Sequence, residues 1–179
     1  MRVGLFDHFG WAIAVTADRD HVVVDRRRLE LVEPDVTPAP IHYDAATHDD
    51  PSLTALVATV QASVRRAASA ALDELPGPIT SLSLRTWPSD FPTDLATVRA
   101  SPWEARADAV MYRRLLAELA AARGWEVHTY DAKSVEAQAA IVLADRADEV
   151  LVGVRQRLGA PWTKDHQLAL AATVLAELA

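Results

Sequence analysis

Two aspartate–histidine dipeptides carry the side chains best suited to chemistry in this chain. Asp7-His8 closes the apolar run "RVGLFD", and Asp165-His166 precedes "QLALAATV". Carboxylate oxygens are the ligands that Mg²⁺ and Mn²⁺ prefer, and such sites need several of them converging. Histidine adds a Mn²⁺ ligand or a general acid near neutral pH. Each residue also has a plainer role. Asp7 suits a hairpin turn, and Asp165 suits the first turn of a helix, where the dipole favours an acid. Further carboxylates must come from elsewhere. Asp90 and Asp94 lie in a loop, and Glu104 and Asp108 lie four apart on one predicted helix face. Glu104 is accounted for by a capping box, so Asp90 and Asp108 remain as candidate ligands. Arg106, Arg113 and Arg114 stand near enough to pair with Asp108. The stretch "PIHYDAATHDDP" gathers His42, Asp44, His48 and Asp49, but their spacing fits no metal motif and reads as a solvated loop.

The elements that must position these residues are legible from periodicity. Residues 2–7, 11–16 and 21–32 read as three successive strands, with "TADRD" as a polar turn between the last two. Leu29 and Leu31 alternate with Arg28 and Glu30, as a half-exposed strand requires. The proline-bearing stretch 33–50 reads as an irregular connection. A long helix follows, with Asp50 as cap, Pro51 in the first turn, and Leu53, Val57, Val60, Val64 and Leu75 at helical spacing. "PGP" at 76–78 ends it, and 79–85 alternates as a fourth strand. Residues 86–100 form a long loop of the kind that carries function. Ser101 and Glu104 form a capping-box pattern around Pro102, predicting a helix to Arg123 that stops at Gly124. Residues 125–130 are a fifth strand. A helical pattern then runs from Ser134 to about Leu158 with a break near Asp145, and the last helix starts at Thr163. This order predicts an α/β fold: a five-stranded mixed sheet with helices on both faces, in a single domain over residues 1–179.

Composition narrows the setting. At 179 residues the chain can bury a substantial core. It has no cysteine, which excludes disulfides, thiolate catalysis and Cys-ligated metal sites. No apolar run reaches the roughly 18 residues needed to cross a bilayer, and no secretory signal pattern opens the chain. No membrane association and a cytoplasmic location are therefore expected. The formal charge is -7, so any nucleic-acid contact would need a local basic patch. Arg26-Arg27-Arg28 is the only dense basic run, and it reads as a strand end. No glycine-rich phosphate loop and no G-x-S-x-G elbow occur.

The element order resembles the ribonuclease H-like superfamily, and the motifs are closest to Holliday-junction resolvases of the RuvC type. In those enzymes a metal-binding aspartate ends the first strand, then a glycine and an aromatic residue open the second. Here "GLFDHFGWAIAV" offers Asp7, Gly10 and Trp11. Their final helix starts with acidic residues before "ALAIA", and here Asp165 and His166 precede Leu168-Ala169-Leu170-Ala171. The chain departs from the pattern in three places. Two residues rather than several separate Asp7 from Gly10. Arg85 stands near the position of the fourth-strand glutamate. A gap-free match of the last helix puts His166, not Asp165, at the final acidic position. The resemblance implies a Mg²⁺- or Mn²⁺-dependent endonuclease acting on structured nucleic acid, working as a homodimer. In that reading Asp7, Asp165 and His166 are catalytic, with Asp7, Asp165, Asp90 and Asp108 around metal. Arg85 and Lys164 contact phosphate, and Trp87 stacks on a base. The alternative is a catalytically degenerate member of the fold that binds or assembles without cleaving.

Overall fold

In the computed structural model, which describes residues 1–176, five strands form one mixed sheet. β1 (Arg2–Asp7), β2 (Trp11–Ala17) and β3 (Val23–Glu30) pair antiparallel. β4 (Ser81–Arg85) lies parallel to β1, and β5 (Glu126–Tyr130) parallel to β4, giving the order β3-β2-β1-β4-β5. The helices are α1 (Pro40–Asp44), α2 (Asp50–Asp73), α3 (Leu95–Val98), α4 (Glu104–Ala122), α5 (Val135–Leu143), α6 (Val154–Leu158) and α7 (Lys164–Leu175).

Strand alternation decides which side chain meets which helix layer. On β1, Val3 and Leu5 enter the core formed with Val60 and Val64 of α2 and Leu115 and Leu116 of α4. Gly4 and Phe6 face the other way, toward α7. Phe6 packs with Leu168 and Ala171. Gly4 allows α7 to lie almost against the sheet: a Cβ there would stand 1.9 Å from the Ala169 carbonyl oxygen. Ser83 of β4 also faces α7, donating its hydroxyl to the Ala172 carbonyl at 3.2 Å. The sheet is thus covered on both faces, as the alternating elements predict.

Several boundaries differ from the sequence reading for local reasons. β3 starts at Val23 because the Asp18 carboxylate accepts the Asp20 and Val22 N–H groups at 2.9 Å each. α2 is capped by Asp49, not Asp50; its side chain accepts the Ser52 N–H. The Ser101–Glu104 capping box does not form. α4 begins at Glu104 with no side-chain cap, and a Glu104 carboxylate oxygen is buried without a partner. The proline-bearing connection holds α1, and the long loop after β4 holds α3, capped by Asp94. The helical stretch 134–158 breaks where expected: Ala144 takes φ +48°, and one π-helical turn, Asp148–Val152, precedes α6.

Candidate functional site

Asp7 is the last residue of β1, and its side chain is 1 % exposed. It does not make the hairpin turn. That role falls to the next residues, with the His8 N–H donating to the Trp11 carbonyl at 2.8 Å and Gly10 at φ +81°. A buried carboxylate needs compensation, and two arginines supply it. Arg85, at the end of β4, donates from Nε and Nη2 to the Asp7 carboxylate at 2.9 Å each. Arg113, on α4, donates from Nε to both Asp7 oxygens at 3.1 and 3.0 Å. Arg85 also packs 4.3 Å over the Phe6 ring. Burial works against the Arg85 charge, but the hydrogen bond and charge of Asp7 outweigh it and raise its pKa. Arg113 moves down through burial, opposed by Asp7 and reinforced by the like charge of Arg85.

Asp165 engages a different partner. Its carboxylate meets His8 Nε2 at 2.9 Å, with the two side chains 25 % and 35 % exposed. The His8 ring is held by stacking on Trp11, 3.9 Å between centroids and 12° from parallel. His166 is buried and closes the N-terminus of α7. Its Nδ1 accepts the Thr163 N–H at 3.2 Å and pairs with the Thr163 hydroxyl at 2.8 Å, forming a capping box. Burial, with Arg26 nearby, pushes the His166 pKa down against the pull of Asp165. Asp165 and His166 line a groove with Trp11, Arg26 and Arg28, whereas Asp7 lines a separate cleft. The expectation that the two Asp-His pairs meet therefore gives way to His8 alone crossing to Asp165. The physical reason lies just past the strand end. β1 stops at Asp7, and the His8 ring turns back against Phe6 and Trp11, on the face where Phe6 meets α7 and Asp165 stands.

The remaining residues are dispersed. Asp108 is 1 % exposed and far from a metal role in its contacts. It accepts the Ile41 and His42 N–H groups at 3.2 and 2.8 Å, capping α1 across the fold. Burial pushes its pKa up to about 6, against those two hydrogen bonds. None of the three nearby arginines pairs with it: Arg113 serves Asp7, Arg114 donates to the Phe91 carbonyl, and Arg106 has no such bond among the described residues. Asp90 is an exposed loop residue. Trp87 is partly buried against two core clusters. Lys164 pairs with Glu136 at the surface.

The Asp7 cleft has a volume of about 480 Å³. Its charged lining is Asp7, Arg85, Arg106 and Arg113, with His8, Phe9 and Thr86 beside them. The sequence reading did not connect Arg106 and Arg113 with Asp7. A signal was present in their seven-residue spacing, which puts both on one face of α4 about two turns apart. These placements do not fit a resident divalent cation. Asp7 is already matched by two guanidinium groups, and among the described residues no group of three or more histidine or carboxylate side chains converges. No family model matches this chain, and no curated protein or solved structure matches it either.

Proposed function

We propose that this chain is a catalytically degenerate ribonuclease H-like protein, a binding module without nuclease activity. The carrying observation is the double clamp on Asp7: the carboxylate that the resemblance assigns to metal is neutralised by Arg85 and Arg113. A cation entering there would displace two charge-assisted hydrogen-bonded partners from a buried group. The strand order, three antiparallel strands then two parallel ones, supports the fold half of this reading. No helix among the described residues is long and apolar enough to cross a membrane.

The test is a Mn²⁺ titration by calorimetry, with a cleavage assay on branched DNA and RNA–DNA hybrids in Mg²⁺ and in Mn²⁺. No Asp7-dependent heat and no cleavage are expected. Cleavage that Asp165→Asn abolishes would sink the proposal and restore the nuclease reading, with Asp7, Asp165 and His166 at its centre. Sedimentation of the same sample reads the homodimer expectation.

A further inference from the structure

The clamp leaves more positive charge in the cleft than Asp7 can match. Arg85 spends Nε and Nη2 on Asp7, and Arg113 spends Nε on Asp7 and Nη1 on the Thr86 carbonyl at 3.0 Å. Arg85 Nη1 and Arg113 Nη2 keep unused donors among the described residues. Arg106 is exposed and makes no ion pair or hydrogen bond among them. Three arginines thus line a cleft that holds one buried carboxylate, in a protein whose net charge is -7. Elsewhere its arginines find partners more often: Arg27, Arg28, Arg65, Arg66, Arg99 and Arg123 each hold a carboxylate.

We infer that this cleft is an anion site for a phosphate ester, bound without metal. The inference rests on the reading of Asp7 as a structural carboxylate. Asp7 fixes the side chains of Arg85 and Arg113 in advance, so little rotamer entropy remains to be lost on binding. The arginines come from two elements: Arg85 from the end of β4, and Arg106 and Arg113 from α4. Arg106 and Arg113 are spaced by about 10 Å along the helix axis. Donors arriving from separate directions suit a tetrahedral phosphate, whereas a carboxylate is satisfied by one planar fork. The cleft volume is that of a small-molecule site. Phe9 at its edge continues into a ring cluster with His42 and Tyr43, at 5.6 and 6.4 Å. Tyr43 is 59 % exposed there. Such a platform stacks a flat group attached to the phosphate.

The experiment uses pyrophosphate as probe, titrated by calorimetry into the whole chain in EDTA at low salt. Saturable binding is expected, weakened at least tenfold by Arg106→Ala and partly restored by Arg106→Lys, with unchanged thermal unfolding in both variants. Succinate serves as the carboxylate control. A wild-type chain that binds neither probe, or succinate more tightly than pyrophosphate, overturns the phosphate site; so does binding indifferent to Arg106→Ala. Binding that appears only when Mn²⁺ replaces EDTA overturns both this site and the metal-free reading beneath it. Absence of binding in EDTA with no Mn²⁺ heat leaves that reading standing and removes the anion site alone. Competition by an oligothymidylate and by adenosine monophosphate then separates the two sources of the phosphate.

Discussion

Asp7 and Asp165 begin as the same dipeptide, each followed by histidine, and end in opposite physical situations. Asp7 is sealed beneath two arginines that leave its carboxylate no unmatched charge. Asp165 sits partly exposed at the start of α7, holding one imidazole that is itself partly exposed. The contrast teaches that a strand end is a branch point. A single step past the end of β1, from Asp7 to His8, exchanges a partner on α4, Arg113, for one on α7, Asp165. Two acids that look paired in sequence thereby take different hydrogen-bond partners, although Arg85 feels the charge of both.

The sharpest way to break the comparison is to truncate each acid. Asp7→Ala leaves two guanidinium groups facing each other beside the core, and it should cost about 3–5 kcal/mol in urea unfolding, the range for breaking a buried ion pair. A loss below about 1 kcal/mol would mean that the clamp is dispensable. Gly4→Ala tests the α7 side. Its methyl meets the Ala169 backbone, which has no side-chain rotamer to yield, so overpacking should cost about 3 kcal/mol or more. A variant as stable as wild type would place α7 farther from the sheet.

Asp108 sharpens the contrast through pH. Its folded pKa of about 6 lies above the ordinary carboxylate value. The folded state therefore holds its proton more tightly than the unfolded chain does. That contribution is fully present below about pH 4 and is lost as pH rises through about 6. Wild type should lose about 2 kcal/mol more than Asp108→Asn between pH 4 and 7, on the order set by the shift. Parallel stability profiles for the two proteins would refute it. The His166 profile has the opposite sign. Its lowered pKa means stability present above the ordinary histidine value and lost as pH falls below it. His166→Gln should flatten that limb of the profile. Asp165→Asn is expected to be the smallest effect, under about 1 kcal/mol, because its pair with His8 is partly solvated.

Much of the architecture was legible in local pattern. The apolar runs at 2–7 and 11–16, the helical spacing after Pro51 and the glycine at 124 depend on neighbours in sequence, and the strands and long helices follow them closely. The break near Asp145 was visible for the same reason. Caps were harder to assign. Asp49 and Asp50 are chemically equal candidates, and only the approach of the Ser52 N–H chooses between them. The Ser101 capping box had the right residues but no helix starting at the right place. The cap on α1 comes from Asp108, 66 residues from His42 along the chain, so no local signal announces it.

By itself the sequence determined an α/β fold, a five-stranded mixed sheet with helices on both faces, with Asp7 at the end of its first strand and Asp165 in the first turn of its last helix. Hydrophobic period and turn chemistry act over a few residues, and that is the scale at which these features are set. Tertiary structure alone decided what the acids do. Arg85 and Arg113 reach Asp7 from 78 and 106 residues away, and His8 reaches Asp165 across 157. A charged group in a folded interior takes the partner that desolvation forces upon it, and that partner is chosen by packing rather than by sequence distance.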